Sequence, residues 1–357
     1  MNVYNFSAGP SMLHRDVKEA VRKDFFDYAG SGMSVTEMSH RSKAFDQIHN
    51  EAIALLKELM HISDDYQILF LQGGASTQFD AIPLNLMHTG KADYIVTGNF
   101  ANKAAEAGAR YGTANIIASS KQDSYRHIPD MDKVVTNDDA DYIHLTYNNT
   151  IFGTRFTKLP AHKAPLIGDI SSIILSEEID VNAFDMLYAG AQKNIGPAGL
   201  TIVIIKKSML GKARECCPIM LDYSTQASQN SLYNTPPCFA IYMAMLTFRW
   251  IKEIGGVSAI QKVNEYKAGL LYEFIDNSGF YKNNVAVADR SLMNVPFVTP
   301  SAELDAKFIK EAEQRGLVAL KGHRLAGGMR ASIYNAMPME GILTLIAFMT
   351  EFQKENA

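Results

Sequence analysis

Residues 188–205 read YAGAQKNIGPAGLTIVII. Met186, Leu187, Tyr188 and Ala189 form a short apolar run that enters small residues, among which stands one lysine, Lys193. Asn194, Gly196, Pro197 and Gly199 follow and break any regular element. Leu200–Ile205 is then a run of strand length, apolar but for Thr201. The segment predicts strand, tight turn, strand, with a lysine held at the turn. Most turn lysines are solvated. One taken out of water has a lowered pKa and a free amine for nucleophilic or Schiff-base work.

The rest of the chain bounds the reading. Its 357 residues make one large domain or two medium ones, and 47% hydrophobic with 20% charged residues suits a sizeable core. A formal net charge of −4, with no basic run interleaved with aromatics, argues against nucleic acid as a partner. Cys216, Cys217 and Cys238 have neither zinc-site spacing nor the makings of a disulfide framework, so a reducing compartment is expected. The opening MNVYNFSAGPSMLHRDV is not a signal peptide, and no apolar run nears the ~20 residues of a membrane span. These features predict a cytoplasmic enzyme.

Along the chain, residues 1–15 read as an irregular arm, 16–30 as a helix, and His40 and Arg41 stand just before a second helix. Residues 67–71 predict a strand, and GGASTQF (73–79) turns it into a helix. Strand, glycine turn, helix points free backbone N–H groups at an anion, with Ser76 and Thr77 as added hydroxyls. Further strands are expected at 94–97, 115–118, 142–146 and 165–170. Phe100 falls at a strand-to-helix corner, Thr150 in a loop, and Asp169 at the carboxyl end of a strand, where α/β folds place ligand-facing groups. Residues 208–235 look loop-rich, 239–254 and 257–277 helical, with Trp250 off the apolar stripe of the first. A domain change is expected near 255–265. Beyond it, strands at 293–299 and 317–320 and helices at 302–315 and 339–354 predict a small α+β domain carrying His323, Arg324 and Arg330.

Together, a flanked lysine, an acid at a strand end, a glycine turn and remote arginines are the parts list for pyridoxal 5'-phosphate (PLP) chemistry. The blocks NFSAGP (5–10), MSHRS (38–42), GGAS (73–76), YAGAQKNIGPAGL (188–200), NTPP (234–237) and GHR…GGMRASIYNAMP (322–338) resemble the phosphoserine aminotransferase branch of the class V aminotransferases, over nearly the whole chain. The resemblance implies an α/β protein of PLP fold type I: a large domain (16–260) with a mainly parallel seven-stranded sheet, and a small domain from 1–15 and 261–357. It implies Lys193 as the Schiff-base lysine and proton carrier, with Asp169 on the pyridine nitrogen. Phe100 would stack on the ring where many relatives have tryptophan, and Thr150 would reach the ring hydroxyl. Ala75, Ser76 and Gln192 would hold the phosphate, some relatives having arginine at the position of Ser76. Asn234 and Thr235 would reach the phosphate in the other subunit of a homodimer. Arg330 would hold the substrate α-carboxylate, and His40, Arg41, His323 and Arg324 its distal anion. The implied reaction is transamination between L-glutamate and 3-phosphohydroxypyruvate in serine biosynthesis, with a related phosphate ester of pyridoxine synthesis as a further candidate. No metal is implied.

Two other readings compete. One is another class V enzyme, such as a cysteine desulfurase or a serine–pyruvate type aminotransferase: a desulfurase needs an exposed nucleophilic cysteine on a mobile loop, and Cys216 and Cys217 adjoin Pro218 in a loop-rich stretch. The cluster of His323, Arg324 and Arg330 favours a substrate with a second anion, which cysteine lacks. A non-catalytic α/β protein with a structural Lys193 would bind no PLP.

Overall fold

The seven short apolar runs between Gln67 and Ile205 all become strands of one sheet in the computed structural model, which describes residues 2–357. In chain order the elements begin with β1 (Tyr4–Asn5), α1 (Arg15–Asp24), α2 (Lys43–Leu59), β2 (Tyr66–Leu71) and α3 (Ala75–Leu86). Then come β3 (Lys91–Val96), α4 (Asn99–Gly108), β4 (Thr113–Ser119), β5 (Ile143–Thr146), β6 (Leu166–Asp169), β7 (Met186–Gly190) and β8 (Thr201–Lys206). The remainder is α5 (Tyr223–Ser228), α6 (Cys238–Glu253), α7 (Gly256–Asn277), β9 (Asn294–Phe297), α8 (Ala302–Gln314), β10 (Leu317–Val318), β11 (Met329–Ser332) and α9 (Met339–Asn356).

The large sheet has the order β2-β8-β7-β6-β5-β3-β4. β7, β6, β5, β3 and β4 pair in parallel, while β8 is antiparallel to both β7 and β2. Strands buried on both faces read as continuous apolar runs, which is why they stand out in the sequence. Adjacent residues feed opposite faces. Leu166, Leu187 and Ile204 join the apolar cluster that includes α2 and α6 residues, whereas Ile167, Tyr188 and Ile205 join the one built with α3 and α4. A third cluster unites Phe6 with residues from Ala268 to Phe352.

Several expectations are corrected. The N-terminal arm is not wholly irregular: Tyr4 and Asn5 pair in parallel with Leu317 and Val318, a ladder too short to leave a periodic pattern. α1 stops at Asp24 rather than reaching Gly30. The Asp27 side chain accepts from the Gly32 N–H at 2.8 Å, a local turn that competes with the helix, and Phe25 and Phe26 remain exposed. The loop-rich stretch contains α5, capped by the Asp222 side chain on the Ser224 N–H. GGMRAS contains β11, which pairs antiparallel with β9. Trp250 is buried despite lying off the stripe of α6, because its ring stacks on His14 at 4.2 Å. Among the described residues, no helix is long and apolar enough to cross a membrane.

Candidate active site

Because β8 is antiparallel to both neighbours, β2 runs the same way as β7, β6, β5 and β3. The carboxyl ends of these five strands therefore share one edge. The Gly73–Gly74 turn, Phe100, Thr150, Asp169 and Lys193 follow or end them in turn. Loops meeting at such an edge bring together side chains that are far apart in sequence.

Lys193 sits in the turn between β7 and β8. Its Nζ donates to Thr150 Oγ1 at 2.7 Å and lies 5.6 Å from the centre of the Phe100 ring. Burial lowers its pKa to about 8, with Asp169 opposing and Arg330 reinforcing the shift. A substantial neutral fraction near neutral pH is what a nucleophilic amine requires. The N-terminal arm closes over this turn. Ser11 N–H donates to Gln192 O at 2.9 Å, and Ser11 Oγ donates to Lys193 O. Gly9, at φ +130°, lies so close that a Cβ would stand 3.1 Å from Gln192 Cγ and 3.4 Å from Lys193 Cγ. The SAGP block thus matches a backbone that must pass tightly over the lysine.

Asp169 is buried at the end of β6. Its Oδ1 accepts from Ser171 N at 2.9 Å and from Ser171 Oγ at 2.6 Å. Burial raises its pKa, while Lys193 and these donors act against that rise. Arg330, on β11, reaches the same edge and donates from Nη1 to Thr150 O at 3.2 Å. Its Nε is buried with no partner, a donor left for an anionic oxygen. His323 accepts from Leu325 N–H at 3.2 Å through Nδ1, which leaves Nε2 as the donor of the neutral ring. Partial burial, Arg330, Arg324 and Lys103 all lower its pKa, and Arg324 is exposed.

Ala75 and Ser76 open α3 behind Gly73 (φ +97°) and Gly74 (φ +73°), and no side chain caps that helix. Its first N–H groups are free for an anion. Gln192 is half-buried beside Lys193. Asn234 and Thr235 are exposed and tied to Gln72, whose Nε2 donates to Asn234 Oδ1 at 3.2 Å and to Thr235 O at 3.4 Å.

One chain does not bring all the expected residues together. His40 and Arg41 line a shallow recess of about 440 Å³ with Gln229 and Leu232, and His323 and Arg324 are not part of it. The cysteines are also set apart. Cys217 contacts Asn85 near the far end of α3 from Gly73, and burial pushes its thiol up to about 11, a poor nucleophile.

The sequence left three contributors unassigned. Ser171 follows Asp169 by two residues, a spacing that suits a local side-chain turn. Asn149 donates to Thr97 Oγ1 and Thr154 Oγ1 and fills the space over Gly98, fastening the β3 and β5 loops together. Tyr334 donates to Ala8 O at 3.0 Å and so joins the segment after Arg330 to the N-terminal arm.

The family described as aminotransferase class-V matches residues 3–345. A phosphoserine aminotransferase of Bacillus cereus is 54% identical over 356 residues, covering 99% of both chains. The solved phosphoserine aminotransferase of Bacillus circulans subsp. alkalophilus superposes with a TM-score of 0.98 at 45% identity, covering 100% of this chain and 99% of that one. A PLP-bound phosphoserine aminotransferase from Trichomonas vaginalis gives 0.93 at 39% identity, covering 98% of this chain and all of that one.

Proposed function

The chain belongs to the class V aminotransferases, as a PLP-dependent phosphoserine aminotransferase, and from that membership we propose that it moves the amino group of L-glutamate to 3-phosphohydroxypyruvate, giving O-phospho-L-serine and 2-oxoglutarate. The observation that carries the site assignment is the half-buried Lys193, whose amine is bonded to Thr150 at the sheet edge with its pKa lowered to about 8. PLP supplies an aldehyde and an electron-withdrawing ring. The residues present fit such a group: an amine for the aldehyde, a buried acid at the neighbouring strand end, an uncapped helix start for the phosphate, and Phe100 at the ring.

Each residue then has a defined task. With PLP bound, Lys193 Nζ would hold its aldehyde and, as a neutral amine, would take and return the proton of the substrate carbon. Asp169 would stand on the ring nitrogen and favour its protonated form. Ala75, Ser76 and Gln192 would hold the cofactor phosphate, Thr150 would orient the ring, and Phe100 would cover it. Arg330, with its unpartnered Nε, takes the substrate α-carboxylate. His323 and Arg324 face the distal anion. The histidine enters neutral and gains a proton as a phosphate dianion approaches, so one pocket serves both a phosphate and a γ-carboxylate.

The same reading makes the enzyme a homodimer. Asn234 and Thr235 reach the partner's cofactor phosphate. His40 and Arg41, which share their recess with Gln229 and Leu232, travel with that segment and complete the partner's distal-anion pocket. The related phosphate ester of pyridoxine synthesis has the same anionic end and fits the same residues. A cytoplasmic location accompanies this role.

The decisive experiment adds O-phospho-L-serine to the PLP-loaded protein with no keto acid present. Loss of the visible cofactor band with phosphoserine and glutamate, and not with alanine, is expected. An unchanged band with phosphoserine but a response to cysteine or alanine would overturn the substrate assignment. Replacing Arg41 or Arg324 should weaken phosphoserine and glutamate far more than alanine. Equal losses on all three would remove these residues from the distal pocket.

A further inference from the structure

Three buried amide side chains are left unused by the reaction above: Asn194, Asn264 and Asn335, none more than 6% exposed. Asn194 follows Lys193 directly, Asn264 lies on α7, and Asn335 stands in the turn between β11 and α9. Hydrogen bonds join them. The Asn335 N–H donates to Asn194 Oδ1 at 3.0 Å, and Asn335 Nδ2 donates to Leu175 O at 2.8 Å. Asn264 Nδ2 donates to Asn335 Oδ1 at 2.8 Å and to Ser176 O at 2.9 Å.

The orientation of each amide follows from the chemistry of its partners. A peptide N–H only donates, so Asn194 must present its oxygen to Asn335. A peptide carbonyl only accepts, so Asn335 must turn its nitrogen to Leu175 and its oxygen to Asn264. Asn264 meets two acceptors and supplies a proton to each. Its own Oδ1 is the single buried side-chain atom of the three amides that lacks a partner among the described residues.

The network joins the two segments whose relative placement the chemistry needs. Leu175 and Ser176 belong to the run that follows Asp169, and Asn194 to the turn that carries Lys193. Ahead of that turn the Gly190 N–H donates to Ser171 Oγ at 3.0 Å, and Ser171 Oγ donates to Asp169 Oδ1 at 2.6 Å. The lysine turn is therefore tied to the Asp169 segment twice: before Lys193 through Ser171, and after it through Asn194 and Asn335. Leu175 has φ +59°, a left-handed conformation that a bulky residue seldom adopts and that persists only where the surroundings fix it. α7 steadies the other side. Lys267, one turn after Asn264, donates to the carbonyls of Ile333, Tyr334 and Met337, on either side of Asn335.

We propose that Asn194 and Asn335 are positioning residues that set the Lys193 amine against the Asp169 carboxylate, with Asn264 holding the pair from α7. The inference rests on the PLP assignment above. Acid and amine must meet one rigid ring from the ends of different strands, and a misplacement of about 1 Å can cost about a hundredfold in rate. Removing one amide leaves its partner buried and unpaired, and the turn relaxes to satisfy it.

The test follows capture of PLP by the cofactor-free full chain as pH is raised through the Lys193 titration near 8. Asn194→Ala and Asn335→Ala should slow the plateau rate by about tenfold or more. They should also move the approach to that plateau to higher pH, because water reaching the amine favours its charged form. Asn194→Asp, whose carboxylate offers the Asn335 N–H the same acceptor, should restore most of the plateau rate. Asn194→Ala gives up one well-formed bond and decides the matter if Asn335→Ala does not fold. An unchanged plateau rate in Asn194→Ala, with only the denaturation midpoint lowered, would mean that the amides hold the fold alone and would overturn the proposal. A wild-type chain that captures no PLP would overturn the PLP assignment, and this inference with it.

Discussion

At the scale of single residues, the role proposed for Lys193 depends on keeping its amine reactive. Its amine is buried among groups that oppose one another: Asp169 favours the charged form, while desolvation and Arg330 disfavour it. Lys193→Ala should reduce turnover by about three orders of magnitude or more, with PLP still bound noncovalently; single-turnover kinetics would read this, and retained turnover would remove the residue from its role. Capture of PLP by the cofactor-free chain should quicken about tenfold per pH unit below pH 8 and level off above it, as the neutral amine becomes the dominant form. Stopped-flow absorbance measures this rate. Stability carries the matching sign. Between pH 8 and 10.5 the unfolded chain holds the Lys193 proton and the folded chain has lost it, so this group's contribution rises with pH across that window. Below about pH 8 the burial penalty is constant.

At the scale of elements, the site is held by contacts that fix one loop against another. A Cβ on Gly98 would lie 2.0 Å from Asn149 Oδ1, although the backbone there is extended and tolerates any residue. Gly98→Ala should therefore push Asn149 off Thr97 and Thr154, loosen the Thr150 loop and lower affinity for PLP, with a loss of stability on the order of 1–3 kcal/mol from overpacking. Denaturant titration and PLP titration would show both effects, and an unchanged PLP affinity would separate this loop from the site. The β11-to-α9 segment is fastened differently. Lys267 is buried on α7, and its Nζ donates to Ile333 O, Tyr334 O and Met337 O at 3.0–3.2 Å. Lys267→Met removes all three donors and should destabilise the chain by about 3 kcal/mol, read from the denaturation midpoint. These fastenings also explain what the sequence could and could not disclose. Six strands of the large sheet are legible because burial writes near-continuous apolar runs, whereas the edge strand β4 has no buried residue and shows only through its short apolar run at 116–118. Lys193, Asp169 and the Gly73–Gly74 turn are legible because each punctuates such a run. β1 and β11 are two and four residues long, and such short ladders carry no period, whereas β10 falls within the strand expected at 317–320. Asn149, Tyr334 and Lys267 act through partners 52, 326 and 66 to 70 residues away, and local pattern holds no record of such pairings.

At the scale of the whole molecule, one chain does not gather all the proposed site residues in one place. Lys193, Thr150, Asp169 and Arg330 converge at the sheet edge, whereas His40 and Arg41 lie in a recess with residues 229 and 232. If that recess faces a second subunit, each site is built from two chains, and the arrangement can be counted. A twofold dimer carries the same exchange twice. Lys193→Ala chains lack the amine but lend an intact Arg41. Arg41→Ala chains have the amine but lend no guanidinium. Unfolding and refolding an equal mixture gives heterodimers as about half of all dimers, each with one complete site, so activity with phosphoserine should recover to about a quarter of wild type. The same recovery is expected when Arg41→Ala is replaced by a chain altered at both Asn234 and Thr235. Mixing without recovery, under conditions where sedimentation shows heterodimers, would return His40 and Arg41 to their own chain. The shared pocket would then have to be closed by movement of the Lys43–Leu59 helix toward Lys193, and a distance measured between labels on that helix and on the His323 loop would shorten on adding phosphoserine.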